Sequence, residues 1–199
     1  MGPVMNECSR RHPGVGLIVF ERSAPYLEPG EKDFVFRWGP PAEVSTPAFT
    51  LGSDELTIVV NPDNPVNSMS HENLRSIYMG NVHIWSELDP VAGLNGNIQA
   101  WGYVQGEDVQ YIFDENTGGR ANNPMIHLAP DVKAMLQAVS SDPNAIGYLP
   151  RRWLNNQVSA VTVDRLNSAP QIPILVLTPT LPDGEKKDWL LCLQDQINQ

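Results

Sequence analysis

Residues 55–85 read ELTIVVNPDNPVNSMSHENLRSIYMGNVHIW, and the fold turns on them. Leu56, Thr57, Ile58, Val59 and Val60 make a short apolar run, rich in β-branched residues and bounded by turn formers, which reads as a buried strand. Pro62 and Pro65 then forbid a helix and favour an extended or turning connection. Ser70 stands where an N-cap belongs, ahead of a helix with Leu74, Ile77 and Tyr78 on one face and Gly80 as its stop. A buried strand, a proline-bearing segment and a new helix describe a chain leaving one globular body for another.

Upstream, residues 4–11 read as the end of a helix closed by His12, Pro13 and Gly14, followed by strands over 15–20 and 33–36. Gly52, Ser53 and Asp54 read as a turn before the strand at 56–60. Downstream, a strand over 98–104 precedes a helix that begins near Asp108 and carries Val109, Ile112 and Phe113 on one face. A polar loop over 117–124 leads to a second amphipathic helix, opened by Asp131 and carrying Val132, Met135, Leu136 and Val139. Asp142, Pro143 and Asn144 turn the chain into a strand around Ile146, and further strands follow over 158–163 and 172–177. The last helix, 187–197, places Trp189, Leu190, Leu193 and Ile197 together. The reading is two α/β lobes with two crossovers, near 61–65 and 145–150. Residues 1–61 and 149–199 form a discontinuous lobe 1, and 62–148 form lobe 2.

With 199 residues, 41% hydrophobic and 18% charged, the chain has the composition of a folded protein with a sizeable core. Thirteen basic against 23 acidic residues give a net charge of −10, which argues against a nucleic-acid role. No window approaches the roughly 18 apolar residues of a membrane span. No apolar signal region follows Met1, Gly2 and Pro3. Cys8 and Cys192 lie near opposite ends of the chain and read as buried free thiols, with a disulfide between two helices of one lobe as the alternative. His12, His71, His83 and His127 show no metal-ligand spacing, and no GxSxG, Walker or GxGxxG motif occurs. Glu107 and Asp108, adjacent at a helix start, diverge in direction and do not form an acid–base pair. No enzyme is expected.

Several segments together resemble one family. Val60-Asn61-Pro62, Asn64-Pro65-Val66, Glu72, Leu74, Ile77, Gly80 and Trp85 fall on the pattern of extracytoplasmic solute-binding proteins of the phosphate-importer type. Ala145-Ile146-Gly147-Tyr148-Leu149-Pro150 is similar to that family's return strand, and residues 173–199 to its final strand and helix. His12-Pro13-Gly14-Val15, Leu27, Gly30 and Asp33 fit its first lobe. The resemblance implies a PstS-like, two-lobed type II periplasmic-binding-protein fold, in the α/β class. It implies a non-catalytic protein that binds a small ligand, phosphate or another solute, in the interlobe cleft without a cofactor. It also implies a membrane permease of an ABC importer as partner and an extracytoplasmic location, periplasmic or anchored at the cell surface. Family members begin with a strand and a Gly-Ser-Thr loop that nothing before Met1 supplies, so the first lobe reads as truncated and the signal segment as absent.

Cleft binding in this family uses backbone N–H groups at helix N-termini together with hydroxyls. The resemblance places Gly106, Glu107 and Asp108 at the second-lobe ligand loop, where the family has Ser-Gly-Thr after its glycine. Two carboxylates there repel phosphate and favour a cationic, neutral hydroxylated or metal-bearing ligand; in the other reading Asp108 is only a helix N-cap with Glu107 solvated beside it. In the first lobe the resemblance points to Ser23, Arg37 and Trp38. Arg37 suits an anion and Trp38 a ring or sugar, unless Trp38 packs under the loop that follows and Arg37 is solvated. Tyr148 falls on the return strand, beside the expected cleft or in the core. Trp101, Tyr103 and Tyr111 offer either an aromatic platform near the second-lobe loop or more core. The rival to solute binding is the same fold with a degenerate site, serving as a sensor or protein-interaction module.

Overall fold

The computed structural model describes residues 2–20, 30, 34–39, 46–88, 94, 96–117, 123–164 and 170–198. In chain order the first elements are α1 (Gly2–Arg11), β1 (Val35–Trp38), β2 (Ala48–Val60), β3 (Ser68–Ser70), α2 (His71–Tyr78), β4 (Gln99–Tyr103) and α3 (Asp108–Thr117). They continue with β5 (His127–Ala129), α4 (Val132–Ser141), β6 (Ala145–Pro150), β7 (Ser159–Asp164), β8 (Gln171–Leu177) and α5 (Gly184–Ile197). These form two compact units, one of Met1–Ser53 with Pro173–Gln199 and one of Asp54–Ile172. The chain thus changes unit at 53/54 and 172/173, whereas the sequence places its lobe boundaries at 61/62 and 148/149. The reason is that Leu56–Val60 of β2 pairs with Ile146–Pro150 of β6, which binds both crossover strands into the second unit's sheet.

In the first unit, β1 lies antiparallel to β8, with Val35 opposite Leu177 and Trp38 opposite Ile174. Met5, Cys8, Leu51, Ile174, Val176, Trp189, Leu190 and Leu193 form its core. Trp189 of α5 stacks on Phe34 at 5.6 Å, meets Phe36 edge-on and donates its indole N–H to Ser9 Oγ at 3.0 Å. Cys8 and Cys192 are joined in a disulfide between α1 and α5, with Cα atoms 5.9 Å apart. This corrects the free-thiol expectation: the apolar faces of the first and last helices pack on one core and bring the two sulfurs together.

Two further expectations change here. Residues 15–20 form no strand: Val15 and Leu17 turn toward the core, while Ile18, Val19 and Phe20 are exposed, and no ladder is made with any described strand. Nor do Gly52, Ser53 and Asp54 make a turn, for β2 runs straight through them. Gly52 serves close approach instead: a Cβ there would lie 2.7 Å from Ile197 Cγ2 and 2.9 Å from Asn198 Oδ1.

In the second unit β2 is flanked by antiparallel β6 and β7; β4 joins β6 and β5 joins β4, both in parallel, and β3 runs parallel to β7. Ser70 caps α2 by accepting from the Asn73 N–H at 3.1 Å, and Gly80 takes φ +73 just past its end, the left-handed stop that glycine provides. Leu74, Ile77 and Tyr78 are buried, as their spacing predicts. Asp131 caps α4 through the Ala134 N–H, and Met135, Leu136 and Val139 are buried on that helix.

The Asn-Pro-Asp-Asn-Pro segment does more than end a strand. Asn61, only 4% exposed, donates its side-chain amide to the carbonyls of Val139 and Ser140 at the end of α4, and accepts from the Asp63 N–H. Asn64 donates to Pro143 O and accepts from the Val66 N–H. Both asparagines therefore satisfy helix-end and turn groups that would otherwise be buried without partners. Asn61→Ala should lower the second unit's stability by about 2–3 kcal/mol, read as a reduced urea midpoint at unchanged slope.

Candidate functional site

The site-bearing segment of the second unit starts at the end of β4. β4 pairs with β6 at Gln99 and Ala100, and its ladder with β5 runs from Trp101 to Tyr103. The chain then turns at Val104, whose carbonyl accepts from the Glu107 N–H at 3.3 Å, with Gly106 at φ +93. Only glycine holds that conformation without strain, which explains its place before the helix. Helix α3 follows, and the backbone N–H groups of its first turn, as at every helix N-terminus, have no acceptor within the helix. Gly106 is exposed and Glu107 half-buried, whereas Asp108 is 8% exposed. The helix begins at Asp108 itself, so the cap position falls to Glu107, and Asp108 is the acidic residue of the first turn. Asp108 is thus an inward-facing helical residue.

Gln110, which the sequence reading passes over, anchors this segment. Its Oε1 accepts from the Tyr103 N–H at 2.9 Å and from the Tyr148 hydroxyl at 2.5 Å, and its Nε2 donates to Asp114 at 2.7 Å. The signal was available: a polar residue beside Val109, at the edge of an otherwise apolar helix face. The Tyr103 hydroxyl donates to Tyr148 O at 3.1 Å. Burial holds the Tyr103 phenol well above its ordinary pKa, reinforced by Tyr148, Glu107 and Asp131, so it stays a neutral donor.

Tyr148 has no accessible surface. Its ring stacks on Phe113 at 3.8 Å, which makes it a core residue of the second unit and removes it from the set of exposed ligand groups. Tyr103 is likewise core; Tyr111 is exposed and hydrogen-bonded to Glu115, and Trp101 stacks on exposed His127 at 4.9 Å. In the first unit Arg37 and Trp38 are both half-buried on β1, and the Trp38 indole N–H is buried with no acceptor among the described residues. Ser23 lies outside the described residues. No cluster of three His, Cys, Asp or Glu side chains suited to a metal occurs among the described residues, and no helix among them is long and apolar enough to cross a membrane.

The class is defined by the family match. Residues 48–197 match the model of a PBP superfamily domain, and the chain belongs to that superfamily. Its fold is of the PstS-like type II periplasmic-binding-protein kind, as the sequence implied. Among solved structures it is similar to a phosphate ABC transporter substrate-binding protein with bound phosphate from Clostridium perfringens. That pair has a TM-score of 0.81 and 18% identity, over 96% of this chain and 88% of the other. An ABC-type phosphate transport receptor from Vibrio cholerae gives 0.60 and 21%, over 83% and 75%. The regulatory domain of CcmR from Synechocystis PCC6803, in complex with 2-PG, gives 0.62 and 14%, over 98% and 89%. At these identities the likeness is one of fold. No curated protein sequence matches the chain.

Proposed function

We propose that this chain is a non-catalytic, extracytoplasmic solute-binding protein of an ABC-type importer, and that the loop over residues 105–108 is one of its binding elements. The observation that carries the reading is the exposed Gly106 turn delivering the first turn of α3, in a chain whose residues 48–197 match the superfamily. The loop carries two carboxylates, Asp108 buried and Glu107 half-buried. Glu107 weights the choice away from a phosphate dianion and toward a neutral hydroxylated or cationic solute. Arg37 and Trp38, on β1 of the first unit, are proposed as further ligand-contacting residues, the former for a charged or polar group and the latter for a ring. The disulfide supports an oxidising compartment outside the cytoplasm.

A thermal-shift screen against phosphate, other oxyanions, sugars, amino acids and divalent cations tests this. A binder raises the melting temperature by an amount set by concentration over dissociation constant, and that rise is the expected result for one class. Glu107→Gln should then tighten phosphate about tenfold by calorimetry, the effect of removing one like charge near a dianion. No shift with any class would sink the solute-binding reading. A second reading is a ligand-sensing regulatory module, favoured by the likeness to a regulatory domain over 98% of this chain. It would show itself as a change of oligomeric state on ligand addition.

A further inference from the structure

We propose that Gln110 is the positioning residue of the 105–108 loop: its side chain bridges β4 and β6 past the end of their ladder and holds the start of α3 against both strands. The inference rests on reading that loop as a binding element, but its geometry stands apart from any ligand. Beyond Ala100 the β4 backbone has lost its β6 partner, so the Tyr103 N–H needs another acceptor. Gln110, 3% exposed, supplies it with one lone pair of Oε1 and takes the Tyr148 hydroxyl with the other. Its amide N–H is spent on Asp114, one turn further along α3, which fixes which way the amide points. One side chain thus ties the end of β4, the middle of β6 and the first two turns of α3 together. The Val104–Glu107 turn hangs between two of those fixed points, Tyr103 and Gln110.

The consequence is local. Without the amide, the Tyr103 N–H and the Tyr148 hydroxyl lose an acceptor in the core, and the loop is free to fray, while α4 on the same sheet keeps its own contacts. Gln110→Leu removes every bond. Gln110→Glu keeps the two accepted bonds but sets a carboxylate against Asp114, and only a shared proton restores the third. The groups facing that position are Asp114 from α3, Tyr103 from β4 and Tyr148 from β6, with the Glu107 and Asp131 charges near Tyr103.

Amide hydrogen exchange, expressed as protection factors, is the test. In Gln110→Leu the amides of Tyr103, Val104 and Glu107 should lose protection by about tenfold or more beyond any loss over 135–139 in α4. In Gln110→Glu the same amides should regain protection as pH falls from about 8 to about 5, as the carboxyl pair takes up its proton, whereas Gln110→Leu should not respond. Equal losses at both places in Gln110→Leu, or no pH response in Gln110→Glu, would overturn the positioning role. Calorimetric titration of the parent protein with inorganic phosphate is run beside it. Absence of phosphate binding with the exchange pattern intact would count against a phosphate ligand and leave the positioning role standing.

Discussion

Replacing Tyr148 with alanine should remove about 3–5 kcal/mol of stability from the second unit, the range for emptying a buried aromatic site. The ring has no solvent contact and is enclosed by Phe113 face to face and by Tyr78 and Tyr103 edge-on, at 5.8 and 5.4 Å. Those three neighbours come from α3, α2 and β4, so the cavity would open where three elements meet and could not collapse by moving one of them. Tyr148→Phe should cost only about 1 kcal/mol, since it keeps the packing and gives up the hydroxyl's bond to Gln110. Urea unfolding of both variants measures the two terms separately. The contrast also bears on function. If Tyr148→Phe lost ligand affinity while keeping both its stability and the exchange protection of Tyr103 and Glu107, the hydroxyl would be a binding group after all, and the core assignment would fall.

Breaking the disulfide should have an effect of similar size on the first unit, by a different route. Cys8 and Cys192 are separated by 184 positions, and a crosslink closing so long a loop removes conformational entropy from the unfolded chain worth about 5 kcal/mol. That equals the whole net stability of many domains, so the reduced protein should be marginal at room temperature. The double variant Cys8→Ala/Cys192→Ala should unfold at a much lower urea concentration than the oxidised parent, and a dithiol reductant should bring the parent down to match it. Coincident midpoints with and without reductant would show that native contacts of α1 with α5 hold the unit alone.

The parts of the fold that the sequence announced are those whose physics is local. Ser70, Gly80 and Asp131 act within one helical turn of themselves, and each caps or stops its helix as read. The buried apolar residues of α2, α3 and α4 follow from spacing alone. What the sequence misread depends on partners far along the chain. Residues 15–20 have strand-like composition, yet a strand needs a neighbour to bond to, and composition does not say whether one is present. Gly52 looks like a turn residue until α5 is seen lying against it. The disulfide belongs with them, since 184 positions of separation carry no signal of proximity. β3 and β5, at three residues each, are too short for alternation to show.

The candidate site divides in the same way. Gly106 enters through the family resemblance, and its left-handed φ is the physical reason that glycine stands there. That Asp108 is buried and Glu107 half-buried could not be read, because both residue types suit either place at a helix N-terminus. Gln110 was passed over because its three bonds reach β4, β6 and the next turn of α3, and only the first and last of these lie close in sequence.

The bond between the first and last helices also turns most of the polypeptide into a covalent ring. A protease that cuts one peptide bond anywhere between Cys8 and Cys192 opens that ring but releases no fragment. Nicked protein should therefore run as one band on a denaturing gel without reductant and as two with it. For such a chain, loss of intact mass under reducing conditions and loss of the folded molecule are separate events, and the first can long precede the second.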